Sequence, residues 1–78
     1  ALQAEILFWL GEGSQYQDKT DQALDYYLQL AWQFPEENIW AITAMYRAGQ
    51  IYEQKGMLPA AKNLYQMVLK NAERKSQK

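Results

Sequence analysis

The chain has 78 residues, with 8 basic and 9 acidic side chains and a formal net charge of −1. It contains no cysteine and no histidine, which excludes disulfides, thiolate metal sites, thiol nucleophiles and the usual neutral-pH proton shuttle. The charge balance lacks the basic excess typical of nucleic-acid binding, and the longest apolar run, Ile6–Leu10, is far shorter than the ~20 residues that span a bilayer. We therefore expect neither a nucleic-acid partner nor membrane insertion.

A helical period of 3.6 residues recurs along the whole chain, without sustained strand alternation. Ile6, Leu7 and Leu10 mark the first helix, and a wide apolar stripe from Ala23 to Phe34 marks the second. This pattern predicts an all-α fold. The predicted helices cover residues 2–16, 20–34, 37–55 and 59–74.

Glycine and proline divide the predicted helices. Phe34-Pro35 ends the second helix, because a residue before proline is pushed out of the helical region. Lys55-Gly56 reads as the end of the third helix with a left-handed glycine, and Pro59 suits the first turn of the fourth. The polar end of the chain, residues 70–78, is expected to fray. Candidate N-terminal caps are Asp18, Thr20 or Asp21 for the second helix and Glu36 or Asn38 for the third.

Short loops join the first helix to the second and the third to the fourth, so the sequence predicts two antiparallel helical hairpins. We expect one domain over residues 1–78. Its predicted parts are a first repeat at about 4–37, a second at about 38–72 and a polar tail at 73–78.

An internal repeat supports the two hairpins. A shift of 38 residues superimposes Gly11 on Gly49, Ala23 on Ala61 and Tyr27 on Tyr65. A glycine that faces an alanine would let two helices cross closely, and a tyrosine one turn further on would fill the space between adjacent hairpins.

These positions resemble the tetratricopeptide repeat family, whose pattern is a large residue, then L-G-x2-Y, A-x3-F and P. Ser14 replaces the expected aromatic residue, with Tyr16 as the candidate substitute, and Glu73 stands where a second proline would fall. The period is 38 rather than 34. The matching positions are Leu7, Leu10, Gly11, Ala23, Tyr27 and Pro35 in the first hairpin and Met45, Ala48, Gly49, Tyr52, Gly56, Ala61 and Tyr65 in the second.

The resemblance implies a fragment of a right-handed α-solenoid. The four additional residues, 38–41, would add about one turn to the third helix. Such a long first helix is similar to the repeats of bacterial periplasmic and outer-membrane assembly proteins. That subtype would imply a periplasmic or membrane-associated location, and other members would be cytoplasmic. The absence of cysteine suits either compartment.

Repeats of this kind bind peptides or helices on a concave face formed by the first helix of each hairpin. Phe8 and Tyr46 have an alternative role, which is packing between the hairpins. Glu12 and Glu53 would repel a carboxylate, so no carboxylate-clamp chaperone tail is expected, and apolar, amide or basic groups are favoured. The predicted partner-binding residues are Phe8, Glu12, Gln15, Thr43, Tyr46, Arg47, Gln50 and Glu53.

The three tryptophans, Trp9, Trp32 and Trp40, have two interpretations. They are either binding anchors or residues that would face a neighbouring repeat. Two uncapped ends carrying Trp9, Trp40, Met67 and Leu69 also predict self-association.

No residue set predicts catalysis, a metal site or a cofactor. Asp18, Asp21 and Asp25 lack the glycine and following glutamate of a calcium loop, and Glu36-Glu37 suits a helix N-terminus. The sequence therefore predicts a non-catalytic scaffold or adaptor that binds a protein or peptide. The alternative is a structural spacer or a self-associating fragment of a longer repeat array.

Overall fold

The structure, a computed structural model, describes the backbone of residues 2–76 and, except at Asn38 and 74–76, their side chains. Within this range it contains helices and no strand, which confirms the all-α prediction. The helix ends agree with the predicted ones to within two residues. The elements are α1 (Leu2–Tyr16), α2 (Thr20–Gln33), α3 (Asn38–Gln54) and α4 (Leu58–Ser76).

One end of the chain differs from the prediction. The backbone stays helical through Lys70 as far as Ser76, where fraying was expected. Residues 77 and 78 of the predicted tail lie outside the described range.

The helices form two hairpins that stack side by side. α1 packs along α2, α3 packs along α4, and α2 and α3 hold the two hairpins together. α1 also contacts α3 over a shorter stretch. Because successive helices are neighbours, most of the packing is local in sequence, as expected for a repeat architecture.

The core lies between the hairpins and is richest in α2 and α3. Its largest fully buried side chains are Tyr27, Leu30 and Ile51. α3 contributes three buried alanines, Ala41, Ala44 and Ala48. Small side chains on a central helix let its neighbours approach closely, which explains why α3 can pack on α2 and α4 at once.

Each hairpin closes where a glycine meets a tyrosine ring. A Cβ atom added to Gly11 would lie 2.6 Å from Cε1 of Tyr27, and one added to Gly49 would lie 2.6 Å from Cε1 of Tyr65. The sequence predicted that these two glycines lie where the helices of each hairpin cross, and they do. It predicted an alanine opposite each glycine, whereas the tyrosine ring makes the closest approach. Tyr27 therefore packs inside its own hairpin instead of only filling space between hairpins.

Both hairpin turns use the same left-handed residue position. Gly56 has φ of +79° and Asp18 has φ of +61°. At the first turn, Lys19 N–H donates to the Ser14 carbonyl at 2.8 Å, and Met57 N–H donates to the Tyr52 carbonyl at 2.8 Å in the second. These bonds form a Schellman ending at each turn, and they agree with the left-handed glycine predicted at Gly56. They show that Asp18 occupies the equivalent position 38 residues earlier.

The predicted N-terminal caps are wrong. Lys19 is the N-cap of α2 and makes no side-chain capping bond, because the turn needs Asp18 as its left-handed residue and places Thr20 and Asp21 inside the helix. Glu37 is the N-cap of α3, rather than Glu36 or Asn38.

We expect Asp18→Gly to stabilise the protein by about 0.5–1 kcal/mol, because a left-handed residue with a Cβ is strained and glycine is not. Urea unfolding would measure the change. Asp18→Asn is the control for the removed charge, since asparagine keeps the Cβ. Gly56→Asp should destabilise the chain by a similar amount, and a neutral result at both positions would contradict this account.

Two further expectations fail. Tyr16 does not replace the missing aromatic residue at Ser14, because it is 92% exposed while Ser14 is buried. Leu10 matches a position of the repeat pattern, at which a residue packed inside the hairpin is expected, but it is 44% exposed. Leu10 faces outward on α1, whereas Ala48, the residue 38 positions later on α3, is fully buried. None of the described helices has the length and apolar character needed to cross a membrane.

Candidate functional site

The contact between α1 and α3 brings the two predicted binding stripes together. It is built from two pairs of side chains. The rings of Phe8 and Trp40 lie 5.2 Å apart, and Arg47 Nε lies 3.0 Å from Glu12 Oε1. One apolar and one charged contact therefore hold the first helices of the two hairpins beside each other.

Glu12 is the centre of a polar cluster drawn from three helices. Its carboxylate accepts hydrogen bonds from Arg47 Nε at 3.0 Å and Arg47 Nη2 at 3.4 Å, and one from the Tyr27 hydroxyl. The Tyr27 hydroxyl also lies 3.1 Å from Oε1 of Gln15. Every buried side-chain nitrogen or oxygen in the described residues has a partner. The cluster is thus a satisfied network, which rigidifies its surroundings.

The cluster changes the acidity of Tyr27. Burial is the main cause that raises the pKa of this phenol far above its usual value of 10, and the hydrogen bond to the Glu12 carboxylate adds to it. The positive charge of Arg47 opposes the rise without cancelling it. Tyr27 therefore acts as a hydrogen-bond donor throughout the physiological pH range.

The second hairpin contains a more exposed version of the same arrangement. The Tyr65 hydroxyl donates to Glu53 Oε1 at 2.7 Å, and this bond is the main cause that raises the pKa of Tyr65 to about 12. The rings of Tyr46 and Tyr65 lie 5.8 Å apart. The residue equivalent to Glu12 in the second hairpin is Gln50, which has no carboxylate. The carboxylate that accepts the Tyr65 hydroxyl is instead that of Glu53, about one helical turn after Gln50.

The structure divides the predicted binding residues by exposure. Phe8 is 7% exposed and packs against Trp40, whereas its counterpart Tyr46 is 46% exposed. A second hairpin covers Phe8, and none covers Tyr46. Phe8 therefore packs between the hairpins, which was the alternative to partner binding. Tyr46 remains available at the surface. Glu53 is exposed, and the other five, Glu12, Gln15, Thr43, Arg47 and Gln50, are half-buried.

Sequence reasoning missed two features near this site. Lys55 Nζ lies 2.5 Å from Asp21 Oδ1 and forms a second ion pair between the hairpins. The outer side of α1 carries an apolar stripe of Leu2, Ile6, Trp9 and Leu10 around a depression of about 310 Å³. A comparison at the 38-residue spacing would have indicated the stripe, since Ile6 and Leu10 stand where α3 has buried alanines.

The three tryptophans also differ in their exposure to solvent. Trp9 and Trp32 are exposed, whereas Trp40 is half-buried against Phe8. Trp40 thus joins the two hairpins and is not part of an uncapped end. Among the described residues, no group of three acidic, histidine or cysteine side chains is placed to hold a metal ion.

The tetratricopeptide repeat profile matches residues 5–37 and 43–72, more than half of the chain. The chain belongs to the tetratricopeptide repeat family. The two matches begin 38 residues apart, at the spacing of the repeat found above. No curated protein and no solved structure matches the sequence.

Tetratricopeptide repeats generally mediate protein–protein interactions and typically serve as non-catalytic scaffolds. In this tetratricopeptide repeat protein, the predicted binding residues lie on α1 and α3, the first helix of each hairpin. The polar cluster that links these helices determines how the two stripes are held relative to each other.

Proposed function

We propose that the chain is a scaffold or adaptor module that binds a peptide or helix of a partner protein in the groove between α1 and α3. The observation that carries the proposal is Tyr46. This large aromatic side chain is 46% exposed on a helix, near half-buried polar residues of the same helix. Aromatic residues of this kind are common anchors of protein interfaces. Phe8 is buried and therefore lies outside the proposed contact surface.

The charges of the groove favour particular ligand groups. Glu12 and Arg47 neutralise each other at 3.0 Å. Glu53 is exposed, and no ion pair with a described basic side chain reaches it. The groove thus offers an aromatic ring, amide groups from Gln15 and Gln50 and one net negative charge. Apolar, amide and basic groups fit this surface, and a C-terminal carboxylate does not.

The test is selection of binders from a phage-displayed library of random peptides, followed by titration of ¹⁵N-labelled protein with the selected peptides. We expect aromatic or aliphatic and basic residues to be enriched, with shifts at Thr43, Tyr46 and Gln50. Tyr46→Ala should weaken binding at least about tenfold, as at other aromatic anchors. Tyr16→Ala is the matched control, because Tyr16 is exposed outside the groove.

Two results would contradict binding in the groove. One is a set of chemical-shift changes that all lie outside α1 and α3, and the other is an equal peptide affinity of Tyr46→Ala and Tyr16→Ala.

The apolar stripe on α1 favours a second candidate, a self-associating structural unit. Exposed apolar stripes along a helix drive association when a matching surface is present. Light scattering over a range of concentrations separates the two candidates. A monomer at all concentrations excludes self-association. A dimer that Leu2→Gln dissociates supports it.

A further inference from the structure

The contact between α1 and α3 is the smallest contact of any helix pair that touches in the described part of the chain. It contains the rings of Phe8 and Trp40 and the ion pair of Glu12 and Arg47. The proposed groove lies between the same two helices. Its width therefore depends on few interactions.

A buried tyrosine fixes the place of this ion pair. The ring of Tyr27 is 0% exposed, and it packs so closely on Gly11 that a Cβ atom there would lie 2.6 Å from Cε1 of the ring. The Tyr27 hydroxyl donates to the Glu12 carboxylate. This carboxylate also accepts hydrogen bonds from Arg47 Nε at 3.0 Å and Nη2 at 3.4 Å. α2 thus holds a carboxylate of α1 in place, and the carboxylate holds α3.

Both charges of the pair are already used within the chain. The Arg47 side chain is 35% exposed and that of Glu12 is 26% exposed. A partner that took Arg47 away from Glu12 would leave a partly buried carboxylate without its cation, which is unfavourable. A partner that took Glu12 would break the bond from the Tyr27 hydroxyl as well. The pair is therefore better suited to holding the helices than to binding a ligand.

The ion pair is not part of the repeat pattern. At the 38-residue spacing, Gln50 is equivalent to Glu12, and Trp9 is equivalent to Arg47. Neither of these two equivalents carries a charge. The pair is therefore specific to the contact between α1 and α3.

We propose that Glu12 and Arg47 are positioning residues, which set the distance and rotation of α1 against α3 and do not touch the partner. This inference rests on the proposed function, and it removes from the contact surface two residues that the sequence predicted there. The affinity for a partner then depends on the ion pair through the shape of the groove, and not through the charge of either side chain.

The opposite charges of the two residues separate positioning from contact. The probe is a peptide selected for the groove from the phage library and titrated into the full chain. If the side chains touched a basic ligand, Glu12→Gln would weaken binding and Arg47→Gln would strengthen it. As positioning residues, both should weaken binding of the same peptide by about fivefold. The double variant should lose no more affinity than either single variant, because both changes remove the same ion pair.

Two further variants serve as controls. Lys55→Gln removes the other ion pair between the hairpins, which joins the end of α3 to α2, and its partner Asp21 has an 84% exposed side chain. Exposed pairs contribute little, so the peptide affinity should be unchanged. Arg47→Lys keeps the charge and loses the forked geometry, so it should restore part of the affinity that Arg47→Gln loses. Urea unfolding shows that each variant is folded under the conditions of the titration.

Spin labels measure the positioning without any ligand. The chain has no cysteine, so labels attach only at Gln3→Cys on α1 and Gln54→Cys on α3, which are both exposed positions. Electron paramagnetic resonance then gives the distribution of distances between the labels. We expect this distribution to broaden with Glu12→Gln or Arg47→Gln and to stay the same with Lys55→Gln.

Unchanged distances in the Glu12 and Arg47 variants would overturn the proposal. It would also be overturned if the peptide affinity stayed the same in both variants, moved in opposite directions, or fell equally with Lys55→Gln. If the library yields no groove peptide, the groove itself is rejected, and the distances alone decide whether the ion pair positions the two helices.

Discussion

Replacing Gly11 with alanine is expected to destabilise the protein by about 1–3 kcal/mol, although alanine is the better helix former. The added Cβ would lie 2.6, 2.9 and 2.9 Å from three ring carbons of Tyr27. This ring is fully buried and cannot move without disturbing the core. Thermal unfolding should show a decrease in Tm of roughly 5–15 °C for a chain of this size.

The chain offers matched controls for this prediction. Nothing lies within 4 Å of a Cβ added to Gly13, so Gly13→Ala should stabilise by about 0.5–1 kcal/mol. Gly49→Ala meets the Tyr65 ring at the same distance, 2.6 Å. Tyr65 is only half-buried and can move outward, so this change should cost less than Gly11→Ala. A stabilised Gly11→Ala protein would show that the hairpin does not close at this contact.

Tyr27→Phe is expected to lower the free energy of unfolding at pH 7 by about 1–2 kcal/mol. The change removes the hydroxyl that donates to Glu12 and lies 3.1 Å from Gln15. Hydrogen bonds to charged groups contribute about 1.5–3 kcal/mol when buried. The expected loss is smaller here, because Glu12 is partly exposed and keeps Arg47 as a partner.

The same variant should change the pH dependence of stability. Burial and Glu12 raise the pKa of Tyr27 in the folded protein. Between the ordinary tyrosine pKa of about 10 and the raised value, the folded state holds a proton that the unfolded chain has lost. The contribution of Tyr27 is therefore complete below about pH 10 and decreases as the pH rises above it. Tyr27→Phe should weaken this alkaline decrease.

Urea unfolding of both proteins between pH 8 and about pH 11 measures the effect. Lysine titration contributes equally to both curves, so their difference isolates Tyr27. Tyr65→Phe is the control from the second hairpin, where the tyrosine and its carboxylate are more exposed, and it should have the smaller effect at pH 7. Parallel curves for the original protein and Tyr27→Phe would contradict the assignment.

Several sequence predictions are confirmed because their causes are local. The helix period, Phe34-Pro35 and Gly56 act within a few residues, and they placed the helices to within two residues of their ends. The turn at Asp18 was missed, because aspartate is also a common N-cap and the sequence favoured that role. The structure identified its left-handed role, and the 38-residue spacing from Gly56 is the sequence signal that indicates it.

The binding surface was less predictable. Phe8 and Tyr46 occupy equivalent positions with similar side chains, yet they are 7% and 46% exposed. Their difference arises from the second hairpin, which covers one and not the other. The roles of Thr43, Gln50 and Glu53 in binding remain predictions for the groove experiment.

The amino-acid sequence by itself determined the four helices, the two hairpins and the glycine and tyrosine positions of the repeat. Periodicity and backbone preferences are local properties, so they can be read from neighbouring residues. Only the tertiary structure decided that Gly11 meets the Tyr27 ring and that Glu12 binds Arg47, 35 residues away. It also decided which apolar surfaces remain open. Such contacts depend on how one helix lies against another, and equivalent residues in two repeats differ whenever only one of them has a neighbour.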